Sequence, residues 1–180
     1  ASFLSNIFNK LKFFTAILLL ITCIGSLGTL KDYLGNPPPS NLPVSEIKAL
    51  FFLKNQPFGY VLTYPYDKYI KKNMNTPIPL YAYETTSYVS AFSEKPTFLE
   101  DEMNLDITGF DWEKRRQDSI DFFNGDNKYF SRGLLVNNNI SYIYLTNNQK
   151  INLSQLDLGI DKIYDQDGIN IYKVQRWYTK

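Results

Sequence analysis

The sequence contains no histidine, and its single cysteine, Cys23, lies in an apolar segment near the amino end. Histidine is the commonest general base in enzymes and the commonest zinc ligand in proteins. Its absence excludes Ser-His and Cys-His catalysis within this chain. One cysteine forms no internal disulfide, so cysteine usage leaves the redox compartment open.

A strong charge of either sign is also missing, since the formal net charge is +1. Such a balance creates no field that would steer nucleic acid towards the chain, and we expect no nucleic-acid partner. Aromatic residues are abundant instead, with 14 tyrosines and 13 phenylalanines. These side chains supply bulky material for a core and for contact surfaces.

The segment from Phe13 to Leu30 carries no charged residue. As a helix it would reach about 27 Å, close to the hydrocarbon thickness of a bilayer. Three alternatives are a signal peptide, for which Lys10 and Lys12 supply the basic region, a lipoprotein modified at Cys23, and a helix buried in a soluble core. The length and the flanks favour a membrane span. The small and polar residues from Gly25 to Thr29 suit packing against other membrane helices.

The chain is expected to have four parts. They are residues 1–33, a membrane helix with its flanks and a span at about 13–30, residues 34–43, a proline-rich linker, residues 44–175, an extracytoplasmic α/β domain, and residues 176–180, a tail. More lysines precede the span than follow it, which places the amino end in the cytoplasm and the domain outside. The roughly 145 residues after the span suffice for one domain with a core. Because the chain opens with Ala1 rather than Met, we expect further hydrophobic spans upstream.

The domain reads as a mixed three-layer α/β fold that ends in a β-hairpin. The expected helices are 45–56 with Ser45 as N-cap, 112–124 with Asp111 as N-cap and Gly125 as stop, and 128–136. The expected strands are 60–64, 140–145, 162–165 and 169–174, with short β-prone pieces at 88–92 and 97–99 and loops at 66–79 and 147–158. Strand 140–145 is apolar on both faces, which indicates a central position in a covered sheet. Asp167-Gly168 is the turn signal of the hairpin.

Three adjacent carboxylates, Glu100, Asp101 and Glu102, follow the piece 97–99. Adjacent carboxylates stay ionised when water, a cation or basic side chains surround them. One interpretation is a hydrated surface turn, and the other is an oxygen-only magnesium or manganese site that includes Asp106. An EF-hand is excluded because no glycine occupies the sixth position of the loop.

Arg116 shares one helical face with Trp112, Ile120 and Phe123. A charged group on an apolar face needs an anionic partner. The expected structural partners are Glu84, Glu100, Asp101 and Glu102. The alternative is that Arg115 or Arg116 holds a phosphate or a substrate carboxylate.

The order of segments carries a family resemblance. The segments are Leu53-Lys54, Gly59 to Pro65, Tyr88 to Leu99 around a Ser-Glu-Lys-Pro turn, the Arg115-Arg116 helix, Ile140 to Leu145 and Ile169 to Val174. This succession resembles the carboxyl-terminal part of bacterial polytopic membrane proteins of the glycosyltransferase C superfamily and their uncharacterised relatives. In that superfamily a last membrane helix leads into an extracytoplasmic α/β domain.

The resemblance implies a parent enzyme that transfers a sugar from a lipid-linked donor to an acceptor at the outer face of the membrane. The catalytic carboxylate of such enzymes resembles one in an early loop that this sequence does not contain, so we expect an accessory domain with no catalytic residue, no metal site and no cofactor. A divalent cation in the parent enzyme is left open. The expected partners are membrane lipid, the remaining membrane helices, and a lipid-linked sugar or a cell-surface acceptor. The candidate substrate-binding residues are Glu84, Tyr88, Lys95, Glu100, Asp101, Arg115 and Arg116.

Two other hypotheses remain open. A single-span protein could bind a glycan or a partner through an exposed platform of Tyr81, Tyr83, Tyr88 and Phe92. A carboxylate-based hydrolase is the third hypothesis, although no spacing singles out two acids. The cluster Lys68, Lys71 and Lys72 is interpreted as a solvated face, with contact to an anion or a lipid headgroup as the alternative.

Overall fold

The computed structural model describes residues 2–35, 38–147 and 149–175, and the chain divides into two units, Ala1–Pro39 and Ser40–Lys180. The first unit contains one helix, α1 (Ser2–Gly35). Among the described residues, only its part Leu11–Gly35 is long and apolar enough to cross a membrane, with a mean hydropathy of 2.1 and no buried share. The Thr22 and Ser26 hydroxyls donate to carbonyls one turn earlier, which satisfies them within an apolar surrounding. The expected tail 176–180 and linker residues 36 and 37 lie outside the described residues.

The second unit holds helices and strands in alternation. Its helices are α2 (Val44–Lys54), α3 (Tyr88–Ser93), α4 (Glu102–Ile107), α5 (Glu113–Asn124), α6 (Lys128–Asn137) and α7 (Gln155–Leu158), with 3₁₀ turns at Ile70–Asn73 and Leu80–Ala82. Its strands are β1 (Ser40–Asn41), β2 (Tyr60–Thr63), β3 (Ile78–Pro79), β4 (Ile140–Leu145), β5 (Ile160–Gln166) and β6 (Ile169–Val174). The main sheet has the order β2-β4-β6-β5, and β1 pairs separately with β3. Strands β2 and β4 are parallel, whereas β6 is antiparallel to both of its neighbours.

Strand β4 is covered on both faces. Ile143 and Leu145 point into the core formed with α5 and α6, while Tyr142 and Tyr144 pack against α2 and α3. Successive side chains of a strand point to opposite faces, so one strand serves both cores. The sheet therefore lies between two helical layers, and the expected mixed three-layer α/β fold with an inner strand at 140–145 is confirmed.

The terminal hairpin also forms as expected, although β5 is longer than the predicted strand 162–165. Asp167 and Gly168 both have positive φ angles, of 52° and 79°. This is the conformation that a two-residue hairpin turn requires and that Asp-Gly favours. A Cβ atom on Gly168 would lie 1.6 Å from Asn147 Oδ1, so the turn also needs glycine for space.

Several local expectations are wrong. Helix α2 begins one residue early, with Pro43 rather than Ser45 at the N-cap position, because the fixed φ of proline suits a helix start. Helix α5 starts after Trp112, and the Asp111 side chain does not cap it. The region 147–158 is not only loop, because Ser154 caps the short helix α7 through a bond from the Asp157 amide.

The piece 88–92 is also misassigned, since it forms helix α3 and not a strand. Glu100 accepts hydrogen bonds from the Val89 and Ser90 amides, both at 3.0 Å. A carboxylate that binds free amides at a helix start stabilises the helix. This long-range contact overrides the β preference of Tyr88 and Val89, which sequence propensity alone cannot show.

Candidate functional site

Several chain segments end at one edge of the main sheet. Because β2 and β4 are parallel, their carboxyl ends meet there, with Thr63 opposite Tyr144. The segment leading to Glu100 runs beside β2, with the Val61 amide donating to Pro96 O at 2.9 Å and the Phe98 amide donating to Val61 O at 2.8 Å. This parallel run delivers the three adjacent carboxylates to the same edge. The carboxyl ends of strands in open α/β sheets are common ligand sites.

Two adjoining depressions lie at this edge and share four residues, Tyr64, Pro65, Tyr66 and Glu84. We call them together the acidic-aromatic groove. The inner part encloses about 470 Å³ and the outer part about 1030 Å³, both open to solvent. The inner part is further lined by Thr63, Tyr81, Tyr83, Thr86, Tyr88, Val89, Leu99, Glu100, Asp101, Glu102, Tyr144 and Gln149. The outer part is further lined by Asp67, Lys68, Tyr69, Arg116, Ile120 and Asn124.

Two of the three adjacent carboxylates bind the backbone of the groove wall. Glu100 accepts the two amides at the start of α3, and burial raises the pKa of its carboxyl despite these bonds. Asp101 has a φ angle of 56° and is the N-cap of α4. Its carboxylate accepts the Asn104 amide at 3.4 Å and the Ser87 hydroxyl at 3.2 Å. Both groups therefore fix helix starts around the groove.

Glu102 forms an ion pair with Arg116, as expected from the apolar face of α5. One guanidinium nitrogen of Arg116 donates to both carboxylate oxygens of Glu102, and the other donates to Tyr66 O at 2.7 Å. The Glu102 side chain is almost fully buried, and burial raises the pKa of its carboxyl although the Arg116 charge acts in the opposite direction. The pair joins α4, α5 and the segment after β2, so the structural interpretation of Arg116 is confirmed.

A buried polar cluster lies beneath the inner part of the groove. The Tyr144 hydroxyl donates to Glu46 Oε2 at 3.3 Å, and the Tyr88 hydroxyl also hydrogen-bonds to Glu46. Glu46 is 4% exposed, and burial raises the pKa of its carboxyl, with the two tyrosine hydrogen bonds opposing the shift. Burial also raises the pKa of both tyrosines well above the usual range. At neutral pH the two hydroxyls are therefore donors, and they hold the floor of the groove in place.

Three polar groups of the groove are left for a ligand. Glu84 is half-buried and lines both parts, and within the described chain its carboxylate accepts no hydrogen bond and forms no ion pair. The hydroxyls of Tyr66 and Tyr81 likewise have no hydrogen-bond partner in residues 2–35, 38–147 or 149–175. Burial, and second the Glu84 charge, raise the pKa of Tyr66, which places these two groups close together. The arrangement offers one acceptor, two hydroxyls and several aromatic rings.

Five of the seven candidate residues line the groove, and two lie elsewhere. Lys95 is buried at the end of α2 and donates to Gln56 O at 2.7 Å and Pro57 O at 3.1 Å. Arg115 donates to Phe98 O at 3.0 Å and stacks on Phe98 and Phe110. Both cations therefore hold backbone and rings together away from the groove, and neither lines it.

The expected four-ring platform does not form, because Tyr88 is only 7% exposed. Tyr81 and Tyr83 line the groove, whereas Phe92 is exposed outside its lining. In the part of the chain that the structure describes, no three carboxylates converge as a metal site would require. The carboxylates considered for magnesium, including Glu100 and Asp101, instead bind backbone and side-chain donors.

Sequence reasoning missed Glu46, Tyr66, Tyr81 and Tyr144 as parts of the site. A signal for Glu46 was present, because the buried positions of α2 are Glu46, Ala49, Leu50 and Leu53, which follow the helical repeat. The expected face with Ile47 and Phe51 was wrong, and Phe51 is half exposed. For the tyrosines the sequence offers no period, since Tyr66 and Tyr81 lie in irregular segments.

No known family and no curated protein matches the sequence. Among solved structures, the chain is similar to the C-terminal globular domain of the oligosaccharyltransferase from Archaeoglobus fulgidus, a crystal structure. The match has 9% sequence identity and a TM-score of 0.43, and it covers 76% of this chain and 100% of that chain.

Proposed function

We propose that the domain binds a saccharide chain in the acidic-aromatic groove while α1 anchors it in a membrane. The observation that carries this proposal is the free Glu84 carboxylate beside the free Tyr66 and Tyr81 hydroxyls in a groove walled by aromatic rings. Sugar hydroxyls donate to a carboxylate and accept from phenols, and their apolar C–H faces pack on aromatic rings. Ligand sites combine such apolar walls with a few convergent polar groups.

The proposed setting is a membrane glycosyltransferase that uses a lipid-linked donor, in which this domain is an accessory part on the extracytoplasmic side. The support is the succession of sequence segments described above, together with the lysines that precede the apolar span. The alternative is a single-span protein with a glycan- or partner-binding domain. The genomic reading frame upstream of Ala1 separates the two, because the glycosyltransferase requires many further hydrophobic spans there.

Binding is tested with the whole chain in detergent micelles and a set of neutral tetrasaccharides of glucose, mannose, galactose and N-acetylglucosamine. We expect calorimetry or NMR titration to detect at least one of them at about millimolar affinity or better. Glu84→Gln removes an acceptor that is charged, so the affinity should fall about tenfold. Tyr81→Ala removes both a hydroxyl and a stacking surface and should weaken binding at least as much.

Matched controls lie outside the groove. Glu113→Gln changes an exposed carboxylate at the start of α5, and Tyr129→Ala removes a tyrosine that is 77% exposed on α6. Both should leave the affinity unchanged. The proposal fails if none of the tetrasaccharides binds, or if the groove variants and the controls bind equally well.

A further inference from the structure

The segment Tyr66 to Asn75 carries a basic surface that the groove does not explain. Lys68 Nζ and Lys72 Nζ lie 5.0 and 5.1 Å from the centre of the Tyr69 ring, and Lys71 Nζ lies 3.6 Å from the centre of the Tyr83 ring. None of the three ammonium groups pairs with a carboxylate in the part of the chain that the structure describes. Elsewhere in the domain Lys54, Lys114 and Lys162 do form such pairs. The surface formed by Lys68, Tyr69, Lys71 and Lys72 is called the basic turn below.

Tyr69 is the exposed centre of this surface. Its side chain is 58% exposed between two exposed lysines, within the 3₁₀ turn region that precedes β3. Tyrosine is enriched at the level of lipid headgroups because one end of its ring is apolar and the other is polar. Lysines beside it are attracted to anionic headgroups. Phosphate at a membrane surface fits this combination of chemistry.

The chain itself keeps the basic turn near a membrane. Ser40 follows Gly35 by five residues, and five extended residues span at most about 18 Å. A bilayer that contains α1 therefore lies within about 18 Å of Ser40. The pairing of β1 with β3, Ser40 with Ile78, then ties the end of the basic segment to that point.

We infer that the basic turn is a membrane-contact surface that binds the headgroups of anionic phospholipids. Lys68, Lys71 and Lys72 supply the attraction, and Tyr69 inserts at the headgroup level. The contact holds the domain in one orientation on the bilayer rather than free on its short connection. This inference rests on the insertion of α1 proposed above and is independent of saccharide binding.

The test uses the full chain in nanodiscs and a fluorophore on one introduced cysteine. Asn75→Cys in a Cys23→Ser background places the label beside the basic turn. Asn137→Cys in the same background is the matched control, since it precedes the opposite end of β4. A third protein, labelled at the natural Cys23, reports insertion of α1 independently. The quencher is a headgroup-labelled lipid, in phosphatidylcholine alone or with about one third phosphatidylglycerol.

We expect the Asn75 label to be quenched at least about twofold more in anionic than in neutral nanodiscs, and the difference to vanish in about 0.5 M salt. The triple variant Lys68→Gln, Lys71→Gln and Lys72→Gln should abolish the difference. The triple variant Lys114→Gln, Lys128→Gln and Lys150→Gln changes the net charge equally and should preserve it. The Asn137 label should show no dependence on lipid charge.

Quenching of the Asn75 label that ignores lipid charge, while the Cys23 label reports insertion, overturns the inference alone. An equal loss in both triple variants also overturns it, because net charge would then replace the basic turn as the cause. A Cys23 label outside the bilayer overturns the inference together with the proposed membrane anchoring. Saccharide affinity in micelles is a separate measurement, so the two proposals fail separately.

Discussion

Removal of Arg116 should destabilise the domain strongly at neutral pH. Glu102 is 4% exposed, and Arg116 is the basic side chain bound to its carboxylate. Breaking a buried pair by deleting one partner costs about 3–5 kcal/mol. The Arg116 side chain is 28% exposed, which admits some water to the gap. For Arg116→Met we therefore expect a loss of about 2–4 kcal/mol in the free energy of unfolding.

The loss should depend on pH in a defined direction. Burial already raises the pKa of Glu102 above 4.5, and Arg116 is the main group that lowers it. Without Arg116 the folded-state pKa rises further, so the folded protein binds a proton that the unfolded chain releases. The stability of the Met variant is then retained at low pH and lost as the pH rises through the folded-state pKa. The penalty at pH 5 should be smaller than the penalty at pH 8.

The measurement is urea unfolding of the full chain in micelles, followed by the fluorescence of Trp112 on the same helix. Lys114→Met is the control, because it removes an exposed pair with Asp118 that is worth about 0.5 kcal/mol or less. The double variant Glu102→Met with Arg116→Met removes both charges and should recover most of the stability. A penalty for Arg116→Met no larger than that of Lys114→Met would refute the argument, as would a double variant weaker than the single one.

Two further stability predictions follow from the same structure. Glu46→Gln keeps an acceptor for Tyr144 but removes a carboxyl whose raised pKa makes stability fall as the pH rises above about 4.5, so its unfolding free energy should be flatter between pH 5 and 8 than that of the native chain or of Glu113→Gln. Gly168→Ala should cost about 1–2 kcal/mol, because it puts a side chain at φ 79° against Asn147, whereas Gly133→Ala in α6 has open space and should be neutral or stabilising in the same urea titration.

The part of the structure that the sequence predicts is the part governed by local periodicity. Strand 140–145 was assigned to the interior because both of its faces are apolar, and the partner of Arg116 was expected because a charge interrupts an apolar helical face. The same rule applied to α2 would have found Glu46 on the stripe of Ala49, Leu50 and Leu53. The error there was a choice of face, since Phe51 and Ile47 also suit a helical repeat.

The groove was less accessible to sequence reasoning because distant segments build it. Tyr66 follows β2, Tyr81 lies in a 3₁₀ turn after β3, and Tyr144 belongs to β4. Only the parallel pairing of β2 with β4 places the first and the last of these at one edge. Lys95 illustrates the converse error, because a lysine in a polar turn resembles a ligand contact until two backbone carbonyls surround its ammonium group.

The fate of the three adjacent carboxylates determines how a ligand would meet this groove. Glu100 and Asp101 hold helix starts and Glu102 holds Arg116, so each negative charge is already offset by donors of the domain itself. Glu84 has no such donor within the described residues, and it stands where the two parts of the groove join. A neutral polyhydroxyl ligand gains a charged acceptor there, whereas an anionic ligand would be repelled by Glu84. Saccharides bearing carboxylates should therefore bind less well than neutral ones, and Glu84→Gln should narrow that difference while it weakens neutral binding.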